Sequence, residues 1–399
     1  MLDSVRNKIQ TEALHKWIEK DKKGTCEIIT GLGKTFISLH ALYTMPKNDG
    51  KIHLFLAEAT DRIKDLKNDI DKFNKLFDKN VLEDYNLHFY CYQTVYKWKG
   101  RNDIGLVIAD EIHDSLTPAY SKFYFNNKYD AIIGLSATIN TKTLYETEIV
   151  SYTKGDLLNK IAPICFKYTV KDGQKDGTTR ELEIFVINHE LDNKNKTIEA
   201  GNKKKRFYQT EDAAYSYWDK QHKTAWFISD EETKKLKIRI TSHKRSNILY
   251  NLPSKIAATK EILKHLKSKT IIFSNSLDSL YKVTNNVVSS RNTDAENTAI
   301  RDNFEKGITN VIGSFKKLKQ GANLNNVDNC IIMSYYSTDK DFIQRIGRLR
   351  KNNKIGRVFI FVTKNTQEEV WFNKIFSNIS NLKMFYFNNL KECINHIKK

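Results

Sequence analysis

The stretch "CEIITGLGKTFISL", Cys26–Leu39, decides how the chain is read. An apolar run comes first, then a turn holding two glycines, then a helix-like pattern opened by Lys34 and Thr35. A strand that ends in a tight turn and restarts as a helix points successive backbone N–H groups at one spot, and that spot suits phosphate oxygens. Gly31 and Gly33 supply backbone freedom, Lys34 reaches the outer phosphates, and the Thr35 hydroxyl suits Mg²⁺. The usual pattern has a small residue where Ile28 stands, so Ile28 is read as part of the strand. The loop proper is then Thr30, Gly31, Leu32, Gly33, Lys34 and Thr35.

A phosphate loop of this kind needs acids on a neighbouring strand, one to order the metal and one to ready the attacking water. "GLVIADEIHDS" provides them: Asp110 closes an apolar run and Glu111 follows it. Asp110 is assigned, with Thr35, to Mg²⁺, and Glu111 to the nucleophilic water.

Outward from these two stretches, β-type runs alternate with helical ones. Strands are expected at 26–30, 52–57, 87–92, 105–110 and 131–137, then at 165–170 and 182–188. A second alternating set lies at 270–274, 286–290, 310–314, 329–333 and 357–363. Between 57 and 80, Ile63, Leu66, Ile70, Phe73 and Leu76 recur three or four apart, which predicts one buried helix face. Strands separated by helices imply an α/β fold with mainly parallel sheets. "KDGQKDGTT" reads as a loop. The polar stretch from 190 to 250 reads as an exposed connector with helices, its Lys203–Arg206 run a possible phosphate contact. The expected division is therefore 1–150, a connector with hairpin-like strands at 151–262, and 263–399.

The bulk properties fit this picture. At roughly 100–200 residues per domain, 399 residues suit two domains or three. The formal charge of +19 favours a polyanionic partner, nucleic acid first among them. The five cysteines form no C-x-x-C pair, which argues against an ordinary zinc site and suits a reducing compartment. No run approaches the roughly 18 apolar residues of a membrane helix, and the charged first residues do not read as a signal peptide. A cytoplasmic protein is expected.

Asp110-Glu111-Ile112-His113 resembles the DExH box of superfamily 2 helicases, and further elements resembling that family follow in order. "VRNKIQTEAL" is similar to an upstream element whose Gln contacts adenine, here Gln10 with Arg6 nearby. "LAEATDRIKDL" resembles the segment that sets a threonine on a nucleic-acid phosphate, here Thr60, with Ala59 where the family has proline. "YCYQTVYKW" places Gln93 and Thr94 near the bound strand. "LSATI" supplies Ser136, Ala137 and Thr138, which with His113 couple nucleotide state to grip on the polymer. "NVIGSFKKLKQGANLNNVD" resembles a second-domain element at Ser314, Gly321 and Asn323, the last standing where the family has Asp. "QRIGRLRK" is similar to Q-R-x-G-R-x-x-R and gives Gln344, Arg345, Gly347 and Arg348; a second finger would be Arg350 or Lys351.

The resemblance implies two tandem RecA-like domains with an inter-domain insertion. It implies ATP and Mg²⁺ as cofactors, and ATP hydrolysis coupled to movement on nucleic acid. Catalysis would fall to Lys34, Asp110, Glu111, Gln344 and the arginine finger Arg348, with Arg345, Gly321 and Asn323 near the nucleotide. Thr60, Gln93, Thr94, Ser274 and Ser314 would touch the polymer. The Q-R-x-G-R ending favours DNA over RNA. The expectation is an ATP-dependent DNA helicase or translocase acting as a monomer. An RNA helicase, a non-unwinding duplex translocase and an ATP-switched binding subunit are the alternatives.

Overall fold

The computed structural model describes residues 2–398 apart from 48, 138, 147–150, 179, 203–204, 316–326, 336–344, 347–348, 350–354 and 377–381. The chain divides into two compact units, one up to Thr179 and one from Arg180 onward.

The strands of the first unit are β1 (Lys23–Ile28), β2 (Ile52–Ala57), β3 (Leu87–Cys91), β4 (Ile104–Asp110), β5 (Tyr129–Ser136), a small ribbon of β6 (Leu144–Glu146) and β7 (Ser151–Thr153), and β8 (Ile164–Tyr168). Six of them form a parallel sheet in the order β3-β2-β4-β5-β1-β8. Every residue of β4 is buried, as a strand covered on both faces should be. Alternate residues go to opposite cores. Phe55, Ala57, Leu106 and Ile108 join one cluster with the helices Leu2–Ile18, Lys34–Leu42 and Thr60–Phe77, while Leu54, Leu56, Val107 and Ala109 join another with Phe123, Leu157 and Leu158. On helix Thr60–Phe77 the expected face is corrected at its end. Leu66, Ile70 and Phe73 are buried, but Leu76 is exposed and Phe77 packs instead, its ring 6.1 Å from Phe36. Trp17, fully buried, anchors the first helix by donating its indole N–H to the Ile132 carbonyl at 2.8 Å.

The second unit contains β9 (Leu182–His189), the antiparallel hairpin β10 (Ile198–Asn202) and β11 (Lys205–Gln209), then β12 (Thr270–Ser274), β13 (Val287–Val288), β14 (Val311–Phe315), β15 (Asn329–Ile332), β16 (Gly356–Thr363) and β17 (Lys383–Phe387). Its parallel sheet runs β13-β14-β12-β15-β16-β9-β17.

This topology corrects the expected connector. Strands 164–168 and 182–189 do not make a hairpin: β8 pairs with β1 in the first sheet, and β9 lies inside the second, between β16 and β17. The expected loop between them contains a helix, Val170–Lys175, opened by a reciprocal cap between Thr169 and Asp172. The polar 190–250 stretch forms the β10–β11 hairpin and two helices, Glu211–Ala225 and Glu231–Tyr250. It is tied to the rest of its unit. Glu211 is fully buried and accepts from the Asp192 and Ser254 backbones, while Arg245 bridges Asp219 at 2.7 Å and Gln367 at 3.0 Å. Lys205 and Arg206 of the basic run are exposed, and Lys203 and Lys204 lie outside the described residues. Among the described residues, no helix is long and apolar enough to cross a membrane.

Candidate active site

In an open parallel sheet the carboxyl ends of the strands are where ligands bind. In the first unit three neighbouring strands, β4, β5 and β1, end in the three sequence elements singled out above.

After β1 the chain turns through Gly31 (φ 93°) and Gly33 (φ 77°) before helix Lys34–Leu42 begins. Both glycines sit in the left-handed region that a side chain disfavours. Gly33 is constrained twice, because a Cβ there would lie 2.4 Å from the Gln10 amide nitrogen. That amide, buried on the first helix, donates to the Leu32 carbonyl at 2.8 Å. Gln10 therefore rests on the phosphate loop. Arg6 lies one turn earlier on the same helix, half-buried, and Thr30 is half-buried at the loop's start.

Lys34 donates to the Ile28 carbonyl at 3.3 Å and lies 3.7 Å from Glu111 Oε1. Glu111 adopts φ 49°, a conformation that costs a non-glycine residue on the order of 1–2 kcal/mol. The reversal it makes after β4 goes with a side chain that faces Lys34. Its other oxygen, Oε2, accepts from the Ser136 hydroxyl at 3.3 Å and lies 3.3 Å from His113 Nδ1. His113 and Ser136 are themselves 2.7 Å apart, and both are buried. A continuous chain of polar contacts thus joins Lys34 after β1, Glu111 and His113 after β4, and Ser136 at the end of β5. Thr138 lies outside the described residues.

The metal assignment can be tested on the donors present. Thr35 and Asp110 are both buried and face one region, and Asp69 Oδ2 lies 3.3 Å from the Thr35 hydroxyl. A hydroxyl and two carboxylates are the hard oxygen donors that Mg²⁺ takes, so the residues fit that ion. Arg62 contacts all three, with Nε on Asp110 Oδ2 at 2.7 Å, Nη2 on Thr35 Oγ1 at 2.8 Å and Nη1 on Asp69 Oδ2 at 3.3 Å. Burial works against the charge on Arg62, but Asp110 and Asp69 outweigh it and hold the guanidinium more firmly protonated than usual.

Arg62 and Asp69 were missed in the sequence, where "DRIKDLKND" read as a helix face and, in its first part, as the tail of the element that carries Thr60. Their spacing of seven, two helical turns, was the available signal.

The expected polymer contacts divide. Thr60, Gln93 and Thr94 are exposed at the ends of the paired strands β2 and β3, and the Gln93 amide donates to the Glu58 carbonyl at 3.2 Å. Ser274 is a correction. It is fully buried in a serine cluster, where its hydroxyl accepts from the Ser276 N–H at 3.1 Å and meets Ser334 at 3.3 Å. Ser314 is also buried within β14. Arg345 is corrected as well. Instead of facing a nucleotide, its buried guanidinium donates to the Ser334 carbonyl at 2.6 Å and to Asn275 at 2.8 Å, bracing the ends of β12 and β15. Gly321, Asn323, Gln344, Gly347, Arg348, Arg350 and Lys351 lie outside the described residues.

Residues 4–141 match the family of the type III restriction enzyme res subunit, and residues 254–353 match the helicase conserved C-terminal domain. The chain belongs to superfamily 2 of the helicases. This helicase-family chain is 26% identical over 378 residues to the DNA 3'-5' translocase XPB2 of Sulfurisphaera tokodaii, covering 90% of its own length and 82% of the relative. Its fold resembles the ATP-dependent Type ISP restriction-modification enzyme LlaBIII solved bound to DNA (TM-score 0.60, 12% identity). That match covers 96% of this chain but only 31% of the larger enzyme. It also resembles S. cerevisiae Dbp5 bound to RNA and ADP BeF3 (TM-score 0.59, 12% identity), with 98% and 92% of the two chains covered. At these identities the two structures speak for the tandem RecA-like fold alone.

Proposed function

We propose that this helicase-family chain is an ATP-dependent DNA translocase or helicase. The observation that carries the reading is the contact chain Lys34–Glu111–Ser136/His113, which binds the phosphate loop, the acid pair and the coupling element into one polar unit. The Lys34 ammonium stands at the mouth of the loop to meet phosphate oxygens. Glu111 is placed to take the proton of an attacking water, with Ser136 and His113 fixing its carboxylate. Asp110 and Thr35 would hold Mg²⁺, which would supply positive charge to offset that of the phosphates. Gln10, set on the loop, is the group that senses the adenine. In the second unit, Arg348 is the guanidinium for the transition-state charge, with Gln344 four positions earlier in the sequence. Thr60, Gln93 and Thr94 form the exposed strand-end surface for polymer phosphates, so salt should weaken binding steeply.

The similarity to a DNA translocase and the Q-R-x-G-R ending support DNA as the polymer. Phosphate release measured with no polymer, single-stranded DNA, duplex DNA and RNA tests the assignment. Stimulation by DNA is expected. Stimulation by RNA alone would replace DNA with RNA, and no stimulation by any polymer would leave a nucleotide-switched binding protein.

A further inference from the structure

The mechanism above uses Thr35 and Asp110 but assigns nothing to Arg62 or Asp69. We propose that Arg62 is the resident counter-ion of the magnesium position, and that Mg²⁺ enters with its nucleotide by displacing it. The proposal rests on the reading of this site as an ATPase centre.

Each of the three donor nitrogens of Arg62 meets one of the oxygens that suit the metal: Asp110 Oδ2, Thr35 Oγ1 and Asp69 Oδ2. The planar guanidinium fork can satisfy three oxygens at hydrogen-bond distance. Mg²⁺ demands octahedral geometry at about 2.0–2.1 Å. A guanidinium seated on all three oxygens takes the space among them that the ion would fill, and brings the positive charge that the ion would supply. The position cannot do without a positive charge. The Asp110 side chain is only 6% exposed, and removing the partner of a buried charge is strongly unfavourable. Arg62 lies on the first turn of helix Thr60–Phe77 and its side chain is 12% exposed, so it has an edge to solvent along which to move without unwinding the helix. Asp69 acts as a positioning residue: from two turns further along the same helix, its carboxylate holds both Arg62 and the Thr35 hydroxyl.

Arg62→Gln removes the competing charge and keeps much of the length. Binding of a fluorescent ADP derivative is followed as Mg²⁺ is titrated, for the full chain and the variant. The half-saturating Mg²⁺ should fall about tenfold in the variant, the scale of one charge-assisted hydrogen bond. An unchanged or raised value would overturn the proposal. Thermal unfolding gives a readout independent of nucleotide. Without metal the variant should melt below the parent, and Mg²⁺ alone should raise its melting temperature more than the parent's; equal increments would count against displacement. If Arg62→Gln does not fold, Arg62→Lys, which keeps a point charge but loses the fork, should show a smaller fall in half-saturating Mg²⁺, and none would sink the idea. A parent chain that binds no nucleotide at any Mg²⁺ concentration would overturn the ATPase reading and this proposal with it. Normal nucleotide binding with an unmoved Mg²⁺ midpoint would overturn this proposal only.

Discussion

The two units use the same construction to different ends. In each, a parallel sheet buries its strands between helices and gathers loops at the strands' carboxyl ends. In the first unit those ends carry buried charge: Lys34 faces Glu111, and Arg62 sits among Asp110, Asp69 and Thr35. At the ends of β12 and β15 the second unit carries Ser274, Asn275, Ser276 and Ser334, gripped by Arg345. The first arrangement sets cations against carboxylates, whereas the second sets one guanidinium among uncharged acceptors and serves to hold the strand ends together. Architecture alone does not say which end works; the side chains at the strand ends do.

The largest expected effect falls on the charged side. Glu111→Gln should lower polymer-stimulated ATP hydrolysis by about 10²–10⁴, the range for loss of a general base, with the circular dichroism spectrum unchanged. Lys34→Ala should do comparable damage. Either protein hydrolysing at the parental rate would remove the contrast between the units.

Next comes the neutral side. Arg345→Met takes away two buried hydrogen bonds to a charged donor and should cost the second unit roughly 2–4 kcal/mol against urea. A stability within a few tenths of the parent's would mean that Arg345 is not the brace described here.

A pH effect should also mark the second unit, where the shift is large, although burial lowers His40 and His53 of the first unit too. Burial, then the charge of Lys255, push His189 at the end of β9 down to about 3, from an ordinary value near 6.5. Between those values the unfolded chain takes up a proton that the folded chain refuses. This contribution is complete above the unfolded value and is lost as pH falls toward 3. The slope is up to about 1.4 kcal/mol per pH unit for one proton. His189→Gln should flatten the decline in urea midpoint between pH 6.5 and 5; an equally steep decline would refute it.

The smallest effect should come from Ser136→Ala, which deletes one contact each to Glu111 and His113. About 1 kcal/mol, or roughly a fivefold loss of hydrolysis rate, is expected. A loss as large as that of Glu111→Gln would make Ser136 part of the chemistry instead of its support.

Much of this was legible in the letters. Strands 52–57 and 270–274 have the bounds expected from their largely apolar runs, and the acid pair Asp110-Glu111 announced itself by following another such run. What stayed hidden depends on distance along the chain. Arg62 meets Thr35 and Asp110 across 27 and 48 residues, so no local pattern could bring them together. The helix at 170–175 was obscured by its glycine and its polar composition, although Thr169 and Asp172 hold the spacing of a reciprocal cap. Serines 274 and 314 look like surface residues by type, yet both lie within or at the end of strands whose neighbours bury them.

The position of β9 bears on how the protein is made. As the ribosome delivers the chain from its amino end, the whole first sheet is available once residue 168 has emerged. The second must hold its earliest strand unpaired for nearly its entire length, because both neighbours of β9 come from residues 356–387. Nascent chains halted shortly after residue 300 should therefore carry a protease-resistant amino-terminal half and an open, chaperone-accessible β9.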